Sequence, residues 1–87
     1  MNQPLTILYF AWLRERAGVA QEELALPPGV GTVAALVDHL AERSPRHAAA
    51  FRTRGTLRYA VNQEFAEPST PVGPGDEVAF FPPVTGG

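Results

Sequence analysis

Cysteine and lysine are both missing from this 87-residue chain. Without cysteine there are no disulfides, thiolate nucleophiles, zinc-thiolate sites or iron–sulfur clusters. Without lysine no side-chain amine is available for Schiff-base chemistry or for isopeptide attachment to the chain itself. No apolar run approaches bilayer length, and Met1-Asn2-Gln3-Pro4 lacks the basic-then-apolar order of a leader, so no membrane association is expected and the chain reads as cytoplasmic. A basic field is lacking too: the formal charge is −2, the seven basic residues are all arginine, and they are scattered along the chain, which argues against nucleic acid as a partner.

What remains is an ordinary globular composition, 45% hydrophobic and 18% charged, of a size that supports one core. Leu5-Thr6-Ile7-Leu8-Tyr9-Phe10 is apolar on both alternating faces, the pattern of a strand near the middle of a sheet and covered on both sides. Trp12 to Ala17 reads as a helical turn closed by Gly18, and Gln21 to Leu26 as a strand with Leu24 and Leu26 on one face. Thr32 is a candidate N-cap for a main helix whose Val33, Leu36, Val37 and Leu40 form one stripe. Ser44-Pro45 ends that helix and opens a short one through Phe51. Leu57 to Val61 is a third strand, turning near Asn62-Gln63 into Glu64-Phe65-Ala66. After an irregular proline-rich loop, Glu77-Val78-Ala79-Phe80-Phe81 is the last strand. The order is that of an α+β domain with one main helix on one face of a mixed sheet, covering residues 1–81.

Residues 82–87 form a different object. Two prolines directly after a strand end its ladder and hold the chain extended, and Gly86-Gly87 has no side chains to obstruct entry into a narrow channel. From Phe81 to Gly87 the six steps span up to roughly 20 Å. The reactive group this suggests is the carboxyl of Gly87, a poor electrophile until activated, most simply as an acyl-adenylate. Sulfur attack on that carbon leaves a thiocarboxylate, a soft nucleophile ionised at neutral pH, which needs no cysteine in the chain.

Pro74-Gly75-Asp76-Glu77-Val78-Ala79-Phe80-Phe81-Pro82-Pro83-Val84-Thr85-Gly86-Gly87 resembles the terminal signature of the molybdopterin synthase small-subunit family. Phe10-Ala11, Leu13-Arg14-Glu15, Gly18 and Ala60-Val61-Asn62 are weaker matches to it. The resemblance implies a ubiquitin-like β-grasp fold with an extended C-terminal tail. It implies that Gly87, with Gly86 beside it, is adenylated with ATP by an enzyme related to those that charge ubiquitin, and takes sulfur from a donor. The carrier then delivers that sulfur inside the large subunit, where precursor Z (cyclic pyranopterin monophosphate) becomes molybdopterin, in a 2+2 heterotetramer whose catalytic residues lie on the large subunit. It implies no permanently bound cofactor and no metal, and partner contacts at Phe80, Phe81, Pro82, Pro83, Val84 and Thr85.

Three other readings share parts of this pattern: a sulfur carrier for thiamine-thiazole synthesis, a ubiquitin-like protein modifier, and a plain β-grasp interaction module with an idle tail. His39 and His47 are expected at the surface rather than on a metal. Gly73-Pro74-Gly75-Asp76 is expected to be a turn rather than a phosphate loop, since no helix follows. Trp12, Phe51 and Phe65 are expected in the core. Of Phe80 and Phe81, strand alternation buries one and leaves the other for docking.

Overall fold

The computed structural model describes residues 3–52 and 54–83. Five strands, β1 (Leu5–Tyr9), β2 (Gln21–Leu24), β3 (Arg58–Val61), β4 (Glu64–Ala66) and β5 (Glu77–Phe81), form one sheet in the order β2-β1-β5-β3-β4. β1 and β5 run parallel, with Thr6 opposite Glu77 and Tyr9 opposite Phe80; the other pairings are antiparallel. This mixed sheet with its helices on one face is the ubiquitin-like β-grasp.

Helices α1 (Trp12–Ala17), α2 (Val33–Ala41) and α3 (Pro45–Ala50) start and stop where local chemistry dictates. Gly18 ends α1 at φ 84°, a conformation costly for any residue with a Cβ. Thr32 Oγ1 accepts the Ala35 N–H at 3.2 Å, and Ser44 Oγ accepts the His47 N–H at 3.1 Å with Pro45 in the first turn of α3. The stripe Val33, Leu36, Val37 and Leu40 is fully buried. It meets Leu5, Ile7, Tyr9, Tyr59, Val78 and Phe80 from the sheet, together with Leu13, Ala50 and Phe51. Phe80 is the hub, its ring 5.0 Å from Phe51, 5.8 Å from Tyr59 and 6.1 Å from Tyr9.

Two expectations about strands need correction. β1 is an interior strand, but β5 occupies the middle of the order, and β1 is covered on one side only: Leu5, Ile7 and Tyr9 are buried while Thr6 and Leu8 are half-exposed. The cause is that α1, α2 and α3 all pack on the same face of the sheet. Phe65, expected in the core, is 86% exposed because it pairs with Ala60 on the bare face. The loop at Gly73 to Asp76 is a turn as read, tied by Gly73 N–H to Asp76 Oδ2 at 2.8 Å and Asp76 N–H to the Gly73 carbonyl at 3.1 Å. No helix among the described residues is long and apolar enough to cross a membrane.

Candidate functional site

The site grows from the end of β5. Because β1 and β5 are parallel and β3 is antiparallel to β5, the last residues of β1 and β5 and the first of β3 meet at one end of the sheet. Phe10 N–H donates to the Phe80 carbonyl at 3.1 Å, so α1 begins beside the point where the tail leaves. Strand alternation then divides the adjacent phenylalanines. Phe80 is fully buried, whereas Phe81 turns to the bare face opposite Arg58 and is partly exposed. Of the two rings, one of which strand alternation is expected to bury, Phe80 is the one spent on the core, and Phe81 is the one left partly exposed.

Phe81 does not stand alone. Phe65 packs against it at 6.0 Å between ring centroids, and the two line an open groove with Arg58, Tyr59, Ala66 and Glu67. Phe10, 48% exposed, adds a third aromatic at the same end. Sequence reading missed Phe10 and Phe65; strand parity from Ala60 and Phe81 would have placed Phe65 outward. Pro82 is half-buried and Pro83 exposed as the chain departs. Val84, Thr85, Gly86 and Gly87, which complete the expected partner and reaction site, lie outside the described residues.

A second constellation lies on the helical side. Glu22 Oε2 accepts the Tyr9 hydroxyl at 2.6 Å and lies 2.8 Å from His47 Nε2, Glu22 Oε1 is 3.7 Å from Arg43, and Ser44 Oγ is 2.7 Å from His47 Nδ1. A carboxylate only accepts, so His47 donates Nε2–H to Glu22, while its Nδ1 shares a hydrogen bond with the Ser44 hydroxyl. Burial pushes the Tyr9 phenol well above its usual range, with the Glu22 hydrogen bond and charge adding to it. Burial alone would raise the Glu22 carboxyl, but the hydrogen bonds from Tyr9 and His47 and the charges of His47 and Arg43 outweigh it, holding Glu22 below the usual carboxylate range. His47 is therefore buried, at 8% exposure, contrary to its expected surface position. The reason is that the strand period sets Glu22 on the same inward side as Leu24 and Leu26, and an inward acid requires donors. The cluster binds α3 to β1 and β2, and with Ser44 capping a helix its role is structural. No group of three or more His, Asp or Glu among the described residues is placed to hold a metal ion.

A model of the ThiS family matches residues 7–87, tail included. The chain belongs to the ThiS family. Among curated relatives, it is 46% identical over 83 residues to a molybdopterin synthase sulfur carrier subunit from Escherichia coli (strain K12), covering 95% of this chain and 99% of that protein. A protein of the same name from Haemophilus influenzae is 41% identical, with the same coverage. Among solved structures, a putative molybdopterin converting factor, subunit 1, from Pyrococcus furiosus superposes with a TM-score of 0.75 at 30% identity, covering 94% of this chain and 99% of that one. SAMP1 from Haloferax volcanii superposes with a TM-score of 0.73 at 29% identity, covering 97% and 99%.

Proposed function

We propose that this chain is a sulfur carrier of molybdenum cofactor synthesis, the non-catalytic small subunit of molybdopterin synthase. The observation that carries the reading is the 46% identity to the Escherichia coli sulfur carrier subunit across nearly the full length of both chains. The chemistry is that of a carboxyl handed between enzymes. A Gly87 carboxylate oxygen attacks the α-phosphorus of ATP in the activating enzyme, pyrophosphate leaves, and the acyl-adenylate forms. A sulfur donor of persulfide type attacks the acyl carbon and AMP leaves; a thiol then attacks the donor's own sulfur in the acyl disulfide, releasing the thiocarboxylate and forming a disulfide with the donor. The charged carrier then moves to the large subunit, in a 2+2 assembly, where its sulfur attacks a carbon of precursor Z and displaces an oxygen substituent; water then cleaves the resulting thioester, returning the Gly87 carboxylate and leaving the sulfur on the substrate.

The body's contribution is placement. Phe81, Phe65 and Phe10 supply an apolar docking patch where the tail departs, and Pro82-Pro83 stiffen the start of that tail. Docking thus fixes the tail root, and the two glycines let the terminus enter a narrow site.

Intact mass after incubation with ATP, a sulfur source and the activating enzyme tests the carrier chemistry: one oxygen-for-sulfur exchange is expected, and its absence with a competent activator overturns the reading. Adding the large subunit and precursor Z separates this carrier from a thiazole-synthesis carrier, because only the former yields molybdopterin. The likeness to SAMP1, a small archaeal modifier protein of Haloferax volcanii, favours a second reading as a protein modifier. Covalent adducts with other proteins, in place of the thiocarboxylate, would support it.

A further inference from the structure

The arginines that look scattered along the sequence are gathered by the topology. Arg14 and Arg16 lie on α1, which begins where Phe10 bonds to Phe80; Arg46 reaches across to the Glu15 carbonyl at 3.4 Å; Arg58 sits opposite Phe81. All four are exposed, and they outnumber the acids that share the end from which the tail leaves, Glu15 on α1 and Glu67 in the groove with Arg58. Arg16 is held over the Trp12 ring at 4.4 Å, and Arg43, away from this group, pairs with Glu22. The other end of the sheet has the opposite character. Glu64, Asp76 and Glu77 lie there, and no basic residue follows Arg58 anywhere in the sequence. A chain of net charge −2 therefore carries a cationic collar around its tail root and an acidic far end.

We propose that this collar is an electrostatic docking surface for the large subunit, and that it meets acidic side chains rimming the mouth of the channel that takes the tail. The inference rests on the proposed function. Its physical motive lies in the charges that must be brought together: the tail ends in an anion and is delivered to a substrate that is itself a phosphate. Uncompensated, the two repel as the carrier approaches. Arginines at the tail root, continuous with the Phe10, Phe65 and Phe81 patch, offset that repulsion and orient the molecule tail-first. Nucleic acid is the poorer occupant, because the chain as a whole is anionic and the far end would repel a long polyanion.

The test measures association of the whole carrier with the purified large subunit by stopped flow, from low to high salt. Arg14→Glu combined with Arg58→Glu is expected to slow association roughly 10-fold at low salt, with little change in dissociation and a difference that closes as salt rises. Glu64→Arg, an equal change of charge at the far end, is expected to alter the rate by less than about twofold. Thermal melts of each variant check folding, and Arg58→Lys should restore the rate lost in Arg58→Glu. Salt-independent association, or an equal effect of Glu64→Arg, would overturn the collar while leaving the carrier function standing. Equally tight binding to random-sequence duplex DNA at the same salt would reassign the collar to polyanions in general. No binding to the large subunit at any salt would overturn the proposed function along with it.

Discussion

The two faces of the sheet carry similar side chains to different ends. On the covered face, Leu5, Ile7, Tyr9, Tyr59, Val78 and Phe80 are enclosed by three helices; on the bare face, Leu8, Phe65 and Phe81 keep apolar surface in contact with water. Phe80 and Phe81 are the sharpest instance, two identical residues on one strand separated only by pleat. A folding core and a docking patch are thus made from the same material, and what distinguishes them is whether a helix of this chain or a partner supplies the other half.

The largest effect expected concerns neither face. Removing Gly87, or capping its carboxyl as an amide, should abolish sulfur transfer and leave the melting temperature nearly unchanged, since the buried core of the described residues ends at Phe80. A truncated chain that still supports molybdopterin formation would break the separation between body and reacting end.

Next comes the contrast between the phenylalanines. Phe80→Ala should cost roughly 3–5 kcal/mol in urea unfolding, because it empties a site packed by Phe51, Tyr59 and Tyr9. Phe81→Ala should change stability by less than about 1 kcal/mol but weaken binding to the large subunit by roughly 1.5–3 kcal/mol in calorimetric titration. Equal losses of stability in the two variants would mean the bare face belongs to the core.

The polar cluster is a third region, and its signature is in pH. Glu22 has a folded-state pKa below its unfolded value, so its contribution is present above about pH 4.3 and is lost as pH falls through the lower, folded value. Tyr9 is raised, so its contribution is full below about pH 10 and is lost as pH rises beyond that. Glu22→Gln should make the acid limb of the stability profile shallower, and Tyr9→Phe the alkaline one. Glu22→Ala, which leaves the Tyr9 hydroxyl and His47 without their acceptor, should cost roughly 1–3 kcal/mol near neutral pH. An unchanged acid limb in Glu22→Gln would show that the carboxylate contributes nothing to folding.

Which parts of this were legible beforehand follows from the range of the interactions. Caps at Thr32 and Ser44, the stop at Gly18 and the stripe on α2 are set by neighbours within one turn, and the sequence displays them directly. Phe65 and His47 were misplaced because their burial depends on residues far along the chain: Phe65 on which face the helices cover, His47 on Glu22, 25 residues away. The Glu22 requirement was nevertheless readable, since an acid in phase with Leu24 and Leu26 has to find donors. The arginine collar was not, because only the pairing of β1, β3 and β5 brings Arg14 and Arg58 to one end.

The smallest effect sharpens the difference between the two ends of the sheet. The turn between β3 and β4 holds two residues without glycine at positive φ, Asn62 at 52° and Gln63 at 69°. This is the backbone demanded by a two-residue hairpin of the primed type, for which Asn-Gly is the favoured pair. Asn62 justifies its place, since its Oδ1 accepts the Glu77 N–H at 3.0 Å and its Nδ2 donates to Asp76 Oδ1 at 3.1 Å. Gln63 is exposed and has no comparable bond among the described residues. Gln63→Gly should relieve a left-handed strain of about 1–2 kcal/mol while adding roughly 0.5–1 kcal/mol of unfolded-chain entropy, for a net gain near 0.5 kcal/mol. For a domain of this size that raises the melting temperature by roughly 2–4 °C. Because the turn lies at the end away from the tail, affinity for the large subunit should not change. A lower melting temperature would show that Gln63 contributes through its side chain, and a loss of affinity would show that the far end takes part in docking after all.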